Sequence, residues 1–227
     1  MMIDIEKNYR VLQRRIQSSL TLTDQEESNL TVVAVSKKKS LADIEIAYNL
    51  GLNNFGENFV QEAIKKIQAF KHKATWHFIG SIQSNKTKPI SENFDWVHTL
   101  TRYSIAEKLD KHRPKSLPPL HVCVQIQLHE EDSRNSLPIR QLFAMATKIE
   151  KLPNLKLRGL MGMTRFNASE EERHQSYRTM EMASHSLKDN GFEIDTLSMG
   201  MSEDLEIAIH NHANMIRIGT ALFGPRQ

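Results

Sequence analysis

Eight short apolar runs, separated by segments of helical periodicity, constrain this chain more than any other feature. The runs are TVVAVSK (31–37), NNFG (53–56), WHFIG (76–80), WVHTL (96–100), LHVCVQIQL (120–128), KLRGLMGM (156–163), TLSMG (196–200) and MIRIGTAL (215–222). Their length and bounding turn residues predict buried strands. Between them, LADIEIAYNL is opened by Ser40 with Asp43 three residues on, a capping pattern. NFVQEAIKKIQAF, a short segment around Pro89 and SIAEKLDKH follow. PIRQLFAMATKIEKL carries Pro138 in its first turn, where a missing N–H costs little. ASEEERHQSYRTMEMASHSLKDN predicts a long polar helix closed by Gly191, and SEDLEIAIHNH the last clear one. Strand–helix alternation predicts a parallel sheet with helices outside it. Eight strands joined by crossovers predict a closed (β/α)8 TIM-type barrel, with a doubly wound open sheet as the alternative that periodicity leaves open. Ahead of the first strand, Ile5, Tyr9, Leu12, Ile16 and Leu20 fall three or four apart and predict an extra N-terminal helix. No linker or repeat divides the 227 residues, so 1–227 is expected to form a single domain.

The net charge of +3 calls for neither nucleic acid nor an anionic membrane as partner, and neither is expected. No apolar run approaches the ~20 residues of a membrane span, and the N-terminus has no apolar signal core. Cys123 is the sole cysteine, which rules out an intrachain disulfide and fits a cytoplasmic location. Its place inside LHVCVQIQL predicts a packed thiol rather than a nucleophile. His210 and His212 do not have metal-motif spacing, and no metal is expected.

In a (β/α)8 barrel the chemistry sits at the C-terminal strand ends, with phosphate commonly held after strands seven and eight. The first strand ends in Ser36-Lys37. Val33, Val35 and Lys37 alternate onto one face. If that face is the interior, the amine is desolvated at the rim of an apolar core and becomes nucleophilic; the other reading is a solvated KKK run (37–39). Ser198, Gly200 and Ser202 follow the seventh strand. Arg217, Gly219 and Thr220 follow or end the eighth. Glycines there admit a ligand to the backbone, and N–H groups where Ser202 begins a helix favour an anion; plain capping and turn formation are the competing reading. Two such motifs at these particular strands favour phosphate. His77 alternates within WHFIG as a core histidine does, and Glu170, Glu171 and Glu172 suit a helix N-terminus.

The ordered set AVSKKKS, FGENFVQEAI, WHFIGSIQSNK, VHTL, LRGLMGM, LSMGMSEDLEIAI and MIRIGTALFG resembles the pyridoxal phosphate homeostasis protein family over residues 31–224. The resemblance implies a barrel like the N-terminal domain of alanine racemase, with pyridoxal 5′-phosphate in a Schiff base on Lys37. It implies phosphate contacts from Gly200, Ser202, Gly219 and Thr220, Ser198 within the same site, Arg217 facing the pyridine nitrogen, and Asn58 and His77 near the ring. Two stretches depart from the pattern: Glu131-Asp132-Ser133-Arg134-Asn135-Ser136 has Arg134 in place of Lys and lacks a glycine, and Ser81 stands in place of Pro. An arginine cannot take up a proton from the ring nitrogen, so such a site suits holding the cofactor better than driving carbanion chemistry. The sequence ends at Gln227, without the second domain of the racemases, and Tyr9, Tyr48, Tyr103 and Tyr177 all fall in helical segments. The expectation is a non-catalytic cytoplasmic carrier, monomeric, passing its cofactor to apo-enzymes, with no catalytic residues to assign. A small amino-acid racemase or lyase using the same cofactor is the alternative, and a cofactor-free phosphate-binding barrel is a third.

Overall fold

The eight runs form eight parallel strands whose order, β1-β2-β3-β4-β5-β6-β7-β8, closes on itself. A computed structural model describes residues 4–129 and 136–225. Helix α1 (Ile5–Leu20) precedes β1 (Thr31–Val35). Then come α2 (Leu41–Asn49), β2 (Asn54–Glu57), α3 (Val60–Ala69), β3 (Thr75–Phe78), α4 (Thr87–Asn93), β4 (Trp96–Leu100) and α5 (Tyr103–His112). The second half runs β5 (Leu120–Gln125), α6 (Leu142–Ile149), β6 (Leu155–Met161), α7 (Glu170–Asp189), β7 (Thr196–Ser198), α8 (Leu205–His210), β8 (Met215–Ile218) and α9 (Thr220–Phe223). Closure is made by β1 against β8, with Val33 opposite Arg217. The open-sheet alternative is thereby excluded.

Local chemistry sets the element ends. Ser40 accepts from the Asp43 N–H while the Asp43 carboxylate accepts from the Ser40 N–H, and Ser169 and Glu172 repeat the arrangement at α7. Each satisfies donors that a helix start otherwise leaves orphaned. Gly191 follows α7 with φ +87°, a conformation that a side chain disfavours.

Three expectations need correction. β1 stops at Val35, and Ser36 and Lys37 lie in the turn beyond it. The Lys39 N–H returns to the Ser36 carbonyl at 3.0 Å, and Lys38 takes φ +60°. The run 215–222 is strand only to Ile218, because Gly219 turns the chain into α9. Ser202 does not begin a helix: α8 starts at Leu205 behind Asp204, and Ser202 sits in the preceding loop. The departure at 131–136 falls, except for Ser136, outside the described residues.

Alternation along the strands divides the core. Ala34, Phe55, Phe78, Val97, Leu120 and Ile216 face the helices, within one large apolar cluster. Val33, Trp96, Cys123, Met161 and Met215 form a separate cluster inside the barrel. The Cys123 thiol is fully buried there, and desolvation pushes it up to about 12, which makes it packing rather than a nucleophile. β6 pairs with β7 at Gly159, where an added Cβ would lie 1.9 Å from the Thr196 carbonyl oxygen.

Gly159→Ala is therefore expected to destabilise the fold by about 3 kcal/mol or more, since a backbone atom has to move to admit the methyl group. Urea unfolding monitored by circular dichroism checks this. An unchanged midpoint would show that the two strands separate freely.

Candidate functional site

A hydrogen-bonded chain of side chains crosses the barrel interior and ends at its C-terminal mouth. Arg217, on β8, donates from Nη1 to Ser198 Oγ at 2.7 Å and from Nη2 to the Gly162 carbonyl at 3.0 Å. Ser198 Oγ lies 2.8 Å from His98 Nδ1, His98 Nε2 lies 2.9 Å from His77 Nδ1, and His77 Nε2 lies 3.0 Å from Asn54 Oδ1. Proton positions follow from the two ends. A guanidinium only donates, so Ser198 Oγ accepts from Arg217 and keeps its own hydrogen available for His98 Nδ1. At the foot, Asn54 Nδ2 donates to Asn53 Oδ1 at 2.8 Å, which turns the Asn54 oxygen toward His77. Both imidazoles then carry their hydrogen on Nε2 and are neutral. Burial has the same effect, lowering His77 to about 3 and His98 well below the usual histidine value. His77 also stacks on Trp96, with ring centroids 5.6 Å apart.

Arg217 is buried, and desolvation lowers its pKa from the ordinary guanidinium value. A guanidinium stays protonated in proteins, so the group remains a cation at neutral pH. Its own N–H donates to the Gly200 carbonyl at 3.0 Å, which joins β8 to the loop after β7. Asp204 organises that loop, accepting from the Met201 N–H at 2.7 Å, from Tyr177 Oη at 2.7 Å and from Thr164 Oγ1 at 2.8 Å. Ser202 Oγ accepts from the Ala221 N–H at 3.0 Å, so the β7 and β8 loops are stitched together at the mouth. From outside, Arg15 of α1 donates to the Ser202 carbonyl at 3.0 Å and pairs with Glu206.

The two glycines of this region serve different ends. Gly200 has φ +91°, and a Cβ there would lie 2.5 Å from Ala208 Cβ, so the fold itself requires the glycine. At Gly219, φ is −109° and a Cβ would make only ordinary contact with Val35 at 3.5 Å. The protein's own packing does not demand a glycine at that position. Lys37, partly buried, lies two residues beyond Val35 in the adjoining turn. Asn58 follows β2 with Oδ1 buried and without a hydrogen-bond partner.

Of the nine residues singled out from sequence, Ser198, Gly200, Ser202, Arg217, Gly219 and Thr220 are gathered by the β7 and β8 ends, with Lys37 on the neighbouring β1 turn. Asn58 is on the far side of β1, after β2. His77 is fully buried within the barrel and reaches Arg217 through three hydrogen bonds, by way of His98 and Ser198. Sequence reasoning missed His98, Asn54, Asp204, Tyr177 and Arg15. The alternation of Trp96 and His98 in WVHTL is the one signal that pointed inward.

A closed eight-stranded parallel barrel with a buried arginine, hydroxyls and glycines gathered at the β7 and β8 ends beside a lysine turn defines the class of protein to which this chain belongs. The family described as "Alanine racemase, N-terminal domain" matches residues 4–227. The chain is 42% identical to the pyridoxal phosphate homeostasis protein of Pseudomonas aeruginosa, over 99% of this chain and 97% of that one. It is 40% identical to the protein of the same name in Escherichia coli, over 99% and 98% of the respective chains. It belongs to the pyridoxal phosphate homeostasis protein family. Among solved structures, PipY of Synechococcus elongatus with PLP bound superposes with a TM-score of 0.86 at 30% identity, covering 97% of this chain and 100% of that one. Alanine racemase from Corynebacterium glutamicum shares the fold, with a TM-score of 0.72 at 15% identity over 60% of its length.

The neutral histidines generate a pH prediction. Unfolded histidine titrates near 6.5, whereas His77 stays neutral in the fold to about 3. As pH falls through 6.5 the unfolded chain takes up protons that the native chain refuses, so stability is lost on acidification. Each such histidine removes ~2 kcal/mol between pH 7 and 5. His77→Gln, which can donate and accept in the same places, is expected to flatten this part of the slope. Denaturant unfolding of both proteins at the two pH values measures it, and parallel slopes would show that His77 does not stay neutral in the fold.

Proposed function

We propose that this chain binds pyridoxal 5′-phosphate at the C-terminal mouth and acts as a non-catalytic carrier in vitamin B6 homeostasis. The observation that carries the reading is the juxtaposition at the β1–β8 seam of Lys37, the buried Arg217 and Gly219, a glycine that the surrounding packing does not itself require. The bound cofactor supplies an aldehyde carbon that condenses with a neutral amine, losing water to form a Schiff base. Lys37 is the residue for that bond, at the rim of the interior face that holds Val33. Ser202, Thr220 and the backbone at Gly200 and Gly219 hold the phosphate. Arg217, kept cationic and oriented by Ser198 and Gly162, faces the pyridine nitrogen and leaves it unprotonated. The orphaned Asn58 Oδ1 supplies an acceptor near the ring. His77 acts indirectly, through His98 and Ser198, by fixing the arginine.

The carrier reading draws on two further points. An unprotonated ring is a poor electron sink. The buried Tyr177 hydroxyl donates to Asp204, and burial together with that carboxylate pushes its pKa upward, so it stays protonated and offers no phenolate to act as a base. The names of the relatives and the PLP-bound PipY structure support the same function. Among the described residues no helix is long and apolar enough to cross a membrane. The chain works as one domain and one subunit in the cytoplasm, and apo-enzymes that need the cofactor are its recipients.

Borohydride treatment of the loaded protein is expected to fix a pyridoxyl group to Lys37, and Lys37→Ala to abolish it. Ser202→Ala and Thr220→Ala should each weaken cofactor binding by ~1.5–3 kcal/mol. Fluorescence titration with pyridoxal and with its phosphate is the direct test; equal affinities would overturn the phosphate assignment.

Turnover separates a carrier from a small racemase or lyase. Exchange of α-deuterium on alanine and serine is expected at the rate given by free cofactor. Turnover of ~1 per second or faster, lost in Lys37→Ala, would establish an enzyme instead.

A further inference from the structure

Three consecutive lysines, 37–39, leave β1, and a Schiff base needs one of them. A buried ionic cluster grips the backbone on both sides of the first. Lys66, on α3 and 9% exposed, donates from Nζ to the Ser36 carbonyl at 2.7 Å, to Glu57 Oε1 at 2.8 Å and to Glu62 Oε1 at 2.6 Å. Those three acceptors account for the three N–H groups of an ammonium, so Lys66 itself presents no lone pair to an aldehyde. Glu57, fully buried at the end of β2, also accepts from Ser36 Oγ at 2.7 Å. Glu62 reaches past Lys37 and accepts from the Lys38 N–H at 2.6 Å.

The turn built on these bonds treats the three lysines differently. Lys38 is exposed and has φ +60°, a left-handed conformation that a residue with a Cβ adopts only when its surroundings impose it. Lys39 donates from Nζ to the Phe223 carbonyl at 2.7 Å, which ties its amine to the end of α9. Lys37 lies between the two gripped residues.

We propose that Glu57, Lys66 and Glu62 are positioning residues that select Lys37 from the run of three by fixing the peptide units of Ser36 and Lys38. None of them touches the cofactor; they act through the backbone. The inference rests on the pyridoxal phosphate reading above and deepens it.

The test maps where the cofactor attaches. Full-length wild type, Glu62→Gln, Lys66→Met and Lys66→Arg are loaded with pyridoxal 5′-phosphate, reduced with borohydride and digested. Peptide mass spectrometry then gives the ratio of label on Lys37 to label on Lys38 plus Lys39. In Glu62→Gln, which keeps an acceptor oxygen but removes its charge, that ratio is expected to fall about fivefold, the difference between a hydrogen bond to a charged group and one to a neutral group. Lys66→Met should lower it further, and Lys66→Arg, which keeps charge and donors, should recover most of it. Thermal unfolding runs alongside. Glu62 has its side chain 30% exposed, so Glu62→Gln is expected to melt close to wild type, and a changed ratio in a folded protein separates positioning from general stability. Should Lys66→Met fail to fold, Glu62→Gln decides alone. An unchanged ratio in Glu62→Gln overturns the proposal while leaving the cofactor reading intact. Wild-type protein that carries no label, or carries it on Lys38 or Lys39, overturns both.

Discussion

The candidate site depends on the pairing of β1 with β8. Val33 opposite Arg217 brings the first strand of the barrel beside the last, and the lysine turn beside the start of α9 at Gly219 and Thr220. Closure of this kind is expensive in chain entropy, because almost the whole sequence lies between the paired strands. Helix α1 reinforces it from outside. Asn8 donates to the Leu222 carbonyl at 2.9 Å, and Arg15 binds Glu206 and the Ser202 carbonyl. The N-terminal helix, peripheral by sequence order, thus braces the elements that form the mouth.

The barrel interior is filled in two ways. Val33, Cys123, Met161 and Met215 supply an ordinary apolar cluster with Trp96. Beside it the chain from Arg217 through Ser198, His98 and His77 to Asn54 is polar and internally satisfied. Each link matters, since a buried donor or acceptor left without a partner costs roughly 1–3 kcal/mol. At the N-terminal end of the barrel the part-exposed Arg158 stacks over Trp96 at 4.9 Å, meets His121 Nδ1 at 2.6 Å and pairs with Asp195. The two arginines are compensated differently, Arg158 through a carboxylate and the buried Arg217 through a hydroxyl and a carbonyl.

The barrel was legible in the sequence because strand and helix periods differ and alternated eight times. The helix starts at Ser40 and Ser169 were legible for the same local reason, a capping residue with a carboxylate three positions on. The error at Ser202 came from that same rule applied without its tertiary partner. Its hydroxyl does cap backbone, but the N–H it meets belongs to Ala221, across the mouth. Lys37 alternates with Val33 and Val35 in the sequence, but the strand ends at Val35 and the lysine lies in the turn beyond it. What the sequence could not display were contacts between distant segments: His98 with Ser198, Asp204 with Tyr177, and Lys66 with Ser36 and Glu57. These side chains are separated in the chain by other elements and meet only after closure.

The direction of the interior chain has a further consequence. A guanidinium at its head and an amide oxygen at its foot permit one set of hydrogen positions, with every link donating the same way. Relaying a proton along such a row requires each member to accept on one side as it releases on the other, and then to reset. Here the arginine cannot accept and the amide cannot release, so the row is an electrical insulator in spite of its two histidines. Whatever charge the mouth carries is sealed from the opposite end of the barrel, and proton exchange at a bound ligand is left to solvent and to groups at the rim.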